Sequence, residues 1–375
     1  MQKKKVLFLC HSLGVGGIET YLLRFCRWLT ARHPQFEIHI ICKSGVFGTY
    51  EGNFLHTGVT LHGMPIGYLD PSAHVKFYRF LKINRFEAVC DFGGNFGGLT
   101  NLVAWAARVP KRLVYFAAAK SAYKPTPFRR LYQRFLNRLV CTFSTNILSN
   151  SQAAFVNFFS DQLDGRFQVI RNGVPVAPSI SLEQKEDLRS DLGLESGQKV
   201  VLHVGSARWE KNHECIIHMA DLAQKDGLNA CFCLVGPGVE NAWKSMCDAL
   251  NLTNIRFLGE RRDVGQLLQI ADVFLFPSLS EGQPNAFQEA LVGGVPFVAS
   301  DIAPIRETLS NDWGNRWLFS PHSPEQGCRL LTAHLANNPK NDSQFHQLVS
   351  WAKVTFEQDR CFNKFLKALE NLNQS

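Results

Sequence analysis

Three absences narrow what this chain can be. No apolar run approaches the roughly 18 residues that a membrane-spanning helix requires. None of the eleven cysteines forms a Cys-x-x-Cys pair, and several (Cys10, Cys42, Cys90, Cys231, Cys233) sit inside apolar runs. Buried free thiols in a reducing compartment therefore fit better than a disulfide framework or a zinc site. The third absence is acid. From Phe92 to Ser160 the chain carries nine cations and no Asp or Glu.

What is present argues for two ordinary domains. The length of 375 residues exceeds one usual domain of about 150. A composition of 45% hydrophobic and 19% charged residues supplies full-sized cores and excludes a disordered or collagen-like chain. The net charge of +8 is unevenly held: residues 1–180 have 22 Lys and Arg against 8 Asp and Glu, residues 181–375 have 18 against 24. The basic half should face something anionic: nucleic acid, phospholipid or a diphosphate substrate. No nucleic-acid-binding motif appears, so nucleic acid is not expected as a partner. The opening MQKKKVLFLCHS imitates a signal peptide, but its apolar stretch covers only Val6 to Cys10 and fits a buried first strand. The expected location is cytoplasmic, peripheral on the cytosolic face of the inner membrane.

Short apolar runs alternate with helix-period segments. Strands are expected at 6–10, 37–42, 87–92, 112–117, 145–150 and 167–170, and again at 199–204, 229–235, 254–258, 272–277 and 295–300. Such runs, joined by helices, make parallel sheets covered on both faces. Between the two sets, the turn-rich VPVAPSIS after Gly173 reads as a linker. The expected fold is α/β, two consecutive doubly wound domains with a helical tail from about Ser323. In such sheets ligands bind beyond the carboxyl ends of strands.

Three of those loops draw notice. After the first strand comes His11-Ser12-Leu13-Gly14-Val15-Gly16-Gly17-Ile18-Glu19. Glu19 occupies the third glycine position of a dinucleotide fingerprint, so that motif fails. Gly16-Gly17 still permits close approach of a phosphate or sugar, and a tight strand-to-helix turn explains the pair about as well. The first strand of the second half leads into Gly205-Ser206-Ala207-Arg208-Trp209-Glu210-Lys211-Asn212. Cations at a helix start oppose its dipole, which favours an anion-binding role for Arg208 and Lys211 over plain solvated side chains. The third segment, Glu281-Gly282-Gln283-Pro284-Asn285 through Glu289, lies between two apolar strands. Helix amides from Gly282 onward, with a carboxylate at each end, suit anionic or polyhydroxyl ligands.

Gly-Gly-Ile-Glu, Val-Gly-Ser-Ala-Arg-Trp-Glu-Lys-Asn and Glu-Gly-Gln-Pro-Asn-x3-Glu-Ala, in this order, resemble the retaining glycosyltransferases of the GT-B fold, and among them family 4, which serves bacterial exopolysaccharide, O-antigen and lipopolysaccharide assembly. The resemblance spans essentially the whole chain. It implies two Rossmann-like domains facing a cleft, an acceptor domain at 1–178 and a nucleotide-sugar donor domain at 179–353, with a last helix (354–375) packing back on the first. It implies that Arg208 and Lys211 neutralise the donor diphosphate, that Glu281 contacts the transferred sugar and that Glu289 holds the ribose hydroxyls. Gly205, Gly282, Pro284 and Asn285 would line the donor, with Gly16 and Gly17 facing the same diphosphate.

The chain departs from the family at one point. The stretch Arg112 to Lys120 lacks the histidine that many members carry after the fourth strand. Lys120 could substitute or be merely exposed; His11 lies near the expected cleft or is a structural strand-end histidine. No Asp-x-Asp motif is present, so no metal and no cofactor is expected beyond the nucleoside-diphosphate sugar as co-substrate. Phe128 to Leu139 has helical spacing with apolar residues at 128, 131, 132, 135, 136 and 139. That stripe is expected to pack inward, leaving Arg129, Arg130, Arg134 and Arg138 to meet an anionic membrane or a lipid-linked acceptor. The expected activity is metal-independent, retaining sugar transfer to a glycan hydroxyl. The alternatives are another GT-B enzyme (an epimerase or phosphorylase) or an inactive GT-B binding subunit.

Overall fold

A computed structural model of the protein describes residues 3–14, 16–67, 70–117, 126–159, 163–309, 315–337 and 339–370. The chain divides into two compact units, one made of Met1–Asn172 with Asp359–Ser375 and the other of Gly173–Gln358.

The first unit alternates strand and helix: β1 (Lys4–Cys10), α1 (Gly17–Arg32), β2 (Phe36–Cys42), α2 (Glu51–Leu55), β3 (Thr60–Gly63), α3 (Pro71–Asn84), β4 (Ala88–Asp91), α4 (Gly97–Ala106), β5 (Lys111–Phe116), α5 (Pro127–Phe143), β6 (Asn146–Ser149), α6 (Gln152–Phe159) and β7 (Phe167–Val169). The strands pair in parallel in the order β3-β2-β1-β4-β5-β6-β7. β1 shows why its apolar run is unbroken. Val6 and Phe8 point into one core cluster, Leu7 and Leu9 into another on the opposite face, and all four are buried.

The second unit contains α7 (Leu182–Asp191), β8 (Lys199–Val204), α8 (His213–Lys225), β9 (Ala230–Val235), α9 (Val239–Ala249), β10 (Ile255–Gly259), α10 (Val264–Ile270), β11 (Val273–Phe276), α11 (Asn285–Val292), β12 (Phe297–Ser300), α12 (Ala303–Thr308), β13 (Leu318–Phe319), α13 (Pro324–Asn337) and α14 (Ser343–Thr355). Its sheet is also parallel, in the order β10-β9-β8-β11-β12-β13. The sequence reading omits one strand in each unit. β3 is half exposed and has no apolar run, and β13 is only two residues long.

A last helix, α15 (Gln358–Glu370), returns to the first unit. Phe362 and Phe365 join the aromatic core of β1 and α1, with the Phe365 ring 4.6 Å from that of Phe25. The Trp28 indole N–H donates to Asp359 at 2.9 Å, and Arg32 pairs with the same carboxylate. Both unit boundaries differ from those expected at 178 and 354. Val174 is buried in the second core and its N–H donates to the Phe356 carbonyl, so 173–178 and 354–358 belong to the second unit.

Helix ends follow local chemistry. The Asp70 carboxylate accepts from the Ser72 and Ala73 amides ahead of α3, with Pro71 in the first turn. Thr126 caps α5 in the same way, again followed by proline. The seating of α5 depends on a glycine. A Cβ on Gly98 in α4 would lie 2.7 Å from the Leu136 carbonyl oxygen and 3.1 Å from the Val140 nitrogen. That close approach explains why Leu136 and Val140 are buried while the stripe is not buried as a whole. Contrary to the expectation of an inward-facing stripe, Leu131 is 67% and Phe135 52% exposed, because the apolar positions span a wider arc than α4 can cover. The substitution Gly98→Ala should cost about 1–3 kcal/mol by overpacking, seen as a fall of several degrees in Tm by calorimetry. Gly52→Ala, with nothing within 4 Å of its new carbon, should leave Tm unchanged or raise it slightly.

Candidate functional site

In the second unit the loops beyond β8, β9 and β11 converge. Gly236 has φ +153°, and a Cβ there would come within 2.0 Å of the Gly205 carbonyl oxygen. Only glycine permits that approach. The Ala207 amide donates to the Pro237 carbonyl, and the Leu279 amide to the Glu210 carbonyl. Asn212, itself left-handed (φ 56°), donates from its side-chain amide to the Pro277 and Pro321 carbonyls at 3.0 and 2.8 Å. Four loops are thereby locked to one another. Gly205 is crowded by side chains, since a Cβ would lie 2.9 Å from the His203 ring and 3.1 Å from the Lys211 stem.

On this base sits one ion pair. Lys211 Nζ donates to Glu281 Oε1 at 2.7 Å and lies 5.1 Å from the Phe276 ring centroid. Both side chains are largely shielded, at 23% and 10% exposure. Partial burial raises the strength of such a pair over a surface one. Lys211 and Glu281 come from segments 70 residues apart, and the structure brings them together. Arg208 is turned elsewhere: its guanidinium, 72% exposed, pairs with Glu210 at 2.7 Å. Burial pushes the Glu210 carboxyl up, but the Arg208 contact, a backbone hydrogen bond and the charge of Lys211 together bring it below its ordinary pKa.

The remaining candidates fall around this pair. Gly282 lies in the loop with Glu281, and Pro284 precedes α11, whose first residue is Asn285. The helix amides therefore begin at Asn285, not at Gly282. Glu289 stands one turn into α11, half-buried. In the first unit Gly16 precedes α1 and Gly17 opens it, with the Glu19 carboxylate folded against Gly16. Burial raises the pKa of Glu19. His11 is exposed just beyond β1. Arg129, Arg130, Arg134 and Arg138 are all exposed on α5. Lys120 lies outside the described residues.

Sequence reasoning missed two features. Gly236-Pro237-Gly238 was legible as a glycine pair directly after a buried strand. The second is a buried ion pair at the carboxyl edge of the first sheet. Lys43, just after β2, donates to Asp91 Oδ1 at 2.7 Å, while the Gly93 amide and the Thr100 hydroxyl donate to the same carboxylate at 2.7 and 2.6 Å. A charge inside an apolar strand was the available signal, but its partner is 48 residues away. Asp91 is fully buried and receives three donors, the condition under which a buried charge is tolerated.

Residues 15–177 match the family model described as Glycosyltransferase Family 4, and residues 184–347 match Glycosyl transferases group 1. Among curated proteins, the capsular polysaccharide biosynthesis glycosyltransferase CapH of Staphylococcus aureus is 26% identical over 305 residues, covering 80% of this chain and 81% of that protein. The N,N'-diacetylbacillosaminyl-diphospho-undecaprenol alpha-1,3-N-acetylgalactosaminyltransferase of Campylobacter jejuni is 26% identical, covering 78% and 76%. Among solved structures, Anabaena HepE in complex with UDP superposes with a TM-score of 0.82 at 18% identity, over 99% of this chain and all of that one. That likeness speaks to the fold: two parallel-sheet units of the GT-B type.

The buried floor of the site should sense acid. Burial holds the His213 imidazole at a pKa of about 4, against an opposing contribution from the Gly205 backbone, with Lys211 pushing further down. Between its ordinary value of 6.5 and about 4, only the unfolded chain takes up this proton. Stability is therefore complete above pH 6.5 and lost as pH falls toward 4, by on the order of 3 kcal/mol. His213→Phe should flatten the dependence of Tm on pH across that window; an unaltered slope would refute the assignment.

Proposed function

From a chain that belongs to the glycosyltransferases, its first half of family 4 and its second of group 1, we propose an enzyme that takes sugar from a nucleoside diphosphate. The second unit holds the donor and the first receives a lipid-linked glycan acceptor. The Lys211–Glu281 pair carries this reading. Glycosyl transfer separates a sugar with oxocarbenium-like charge from a departing diphosphate. The step is accelerated by fixed charge placed where the new charge develops. Lys211 offers a cation whose position Glu281 already sets, so little reorganisation is needed when a phosphate arrives. Glu281 keeps its second oxygen for a hydroxyl of the transferred sugar, and Glu289 accepts from the ribose. Arg208 stands outside the pair and exchanges Glu210 for phosphate when the donor enters. Gly205, Gly282, Pro284 and Asn285 shape the donor pocket.

The enzyme acts in polysaccharide or lipid-linked glycan synthesis, as the curated relatives do. We further assign it a retaining, metal-independent reaction, with lysine and arginine supplying the charge that a divalent ion supplies elsewhere. UDP is the first nucleotide to test, because HepE binds it. A diphospho-polyprenol glycan is the first acceptor class, after the Campylobacter relative.

In a thermal-shift screen of nucleoside diphosphates and their sugars, a true ligand at 100 times its Kd should stabilise by about 2.7 kcal/mol. Lys211→Met should weaken that ligand about 10- to 150-fold, the worth of one charge-assisted hydrogen bond. Glu281→Gln should abolish most transfer while retaining nucleotide binding. EDTA should leave the rate unchanged; loss on chelation with recovery by manganese would overturn the metal-independent reading.

The membrane reading rests on α5. Leu131 and Phe135 are exposed one turn apart, and Arg129, Arg130, Arg134 and Arg138 are exposed on the same helix. Apolar side chains insert at the headgroup boundary while each nearby cation adds about 1 kcal/mol on an anionic leaflet. No helix among the described residues is long and apolar enough to cross a membrane. Vesicles containing phosphatidylglycerol should carry the protein upward on flotation at low salt and release it at high salt. The double substitution R130E/R134E should prevent flotation, and Phe135→Ser should weaken it; absence of flotation at low salt would end this reading.

A further inference from the structure

The Lys211–Glu281 pair is set by groups that do not belong to it. Pro277 directly follows β11 and opens the segment that reaches Glu281 four residues on. That segment is held at three consecutive residues. The Pro277 carbonyl accepts from the Asn212 side chain at 3.0 Å, the Ser278 carbonyl accepts from the Ser300 hydroxyl at 2.6 Å, and the Leu279 amide donates to the Glu210 carbonyl at 2.8 Å. Two of these three ties end on the residues that flank Lys211, Glu210 before it and Asn212 after it. Lys211 is therefore fastened on both sides to the strand end that carries its partner.

Of those two ties, only that of Asn212 is made by a side chain. Its amide nitrogen has two hydrogens, and the second is committed as well, to the Pro321 carbonyl at 2.8 Å. Asn212 is also left-handed, with φ 56° and ψ 46°, where asparagine is among the few side chains at ease. That single residue separates the 3-10 turn Trp209–Lys211 from α8. The position asks for a left-handed backbone and for two donated hydrogen bonds together. Glycine meets only the first demand.

We propose that Asn212 is the positioning residue for Lys211 in donor binding, resting on the glycosyltransferase reading above. It acts through Lys211 and not on the nucleotide, since both of its amide hydrogens are turned to protein carbonyls. The bond between Glu210 and Leu279 closes one side of the turn, and Asn212 closes the other. With one side open the turn pivots on the remaining bond. The ammonium then loses its fixed place, 2.7 Å from Glu281 and 5.1 Å from the Phe276 ring centroid. A cation free to wander must be ordered anew by each arriving diphosphate, whereas a fixed one is already in place.

The test is a double-mutant cycle read by calorimetric titration of wild type, Asn212→Gly, Lys211→Met and the double variant. The probe is UDP, or the nucleoside diphosphate that the thermal-shift screen puts in its place. Glycine keeps the left-handed turn without strain and removes both hydrogen bonds. Asn212→Gly should weaken the nucleotide roughly 3- to 10-fold where Lys211 is present and less than twofold beside Lys211→Met. A fall in Tm in both backgrounds would report the lost loop contacts; a loss of affinity confined to one background reports positioning. Asn212→Asp, of the same shape but with an oxygen facing the two carbonyls, should show the same pattern with a larger loss, and it decides the question if the glycine variant does not fold. Unchanged affinity in these variants, or equal losses with and without Lys211, overturns the proposal. A second readout needs no nucleotide. After reductive methylation with isotope-labelled formaldehyde, the Lys211 resonance is identified by its absence from Lys211→Met. The Phe276 ring should set it apart from the exposed lysines, and Asn212→Gly should move it toward them; a resonance that stays in place also overturns the proposal. Failure of the wild-type chain to bind any nucleoside diphosphate would instead overturn the glycosyltransferase reading, with the Lys211 resonance still deciding whether Asn212 positions the lysine.

Discussion

A strand that pairs in parallel cannot be reached by a tight turn; the chain must first cross back over one face of the sheet. Both sheets of this protein obey that constraint throughout, and the placement of helices and loops derives from it. The crossovers are helices, so each sheet is covered on both sides and its inner strands are apolar runs. The return also delivers each loop to the same edge. In the second unit, loops separated by tens of residues therefore open side by side, and Lys211 meets Glu281. In the first unit the same edge carries the Lys43–Asp91 pair and the Gly16–Gly17 turn.

What brings those loops within bonding distance is the absence of side chains. Gly236 and Gly205 meet where one added carbon would collide, and Gly98 lets α5 settle on α4. These glycines act through the space they leave. Each converts a rough adjacency set by topology into a contact set by sterics. The second unit uses the close approach to fix polar groups. The first uses it to hold a basic helix whose outer surface stays uncovered.

Most strand positions and the parallel character of both sheets were legible, because a parallel strand must be apolar on both faces and an amphipathic helix must not. β3 and β13 escaped notice because an edge strand and a two-residue strand carry no such demand. The site was legible in its residue types and less so in its pairings. Glu281 and Lys211 could be named from their motifs, but the 2.7 Å contact between them depends on a topology that spacing does not encode. Arg208 illustrates the converse: Glu210, two residues on, was in plain view and claims its guanidinium. The apolar stripe of α5 gave the helix correctly and its burial wrongly, since periodicity reports which residues share a face and not how wide a neighbour that face will find.

The return of α15 has a consequence for biosynthesis. The core around Phe8, Phe25 and Tyr21 takes Phe362 and Phe365 from the far end of the chain. On the ribosome, the first unit to emerge is thus the last to be completed. Its sheet must wait, with part of the aromatic surface of β1 and α1 uncovered, until the second unit has been made and the final helix arrives. The second unit is contiguous, from Gly173 to Gln358, and can close as soon as it is synthesised. Translation thus inverts the usual sequence in which N-terminal structure matures first, and leaves the basic half in the care of whatever protects exposed apolar surface in the cell.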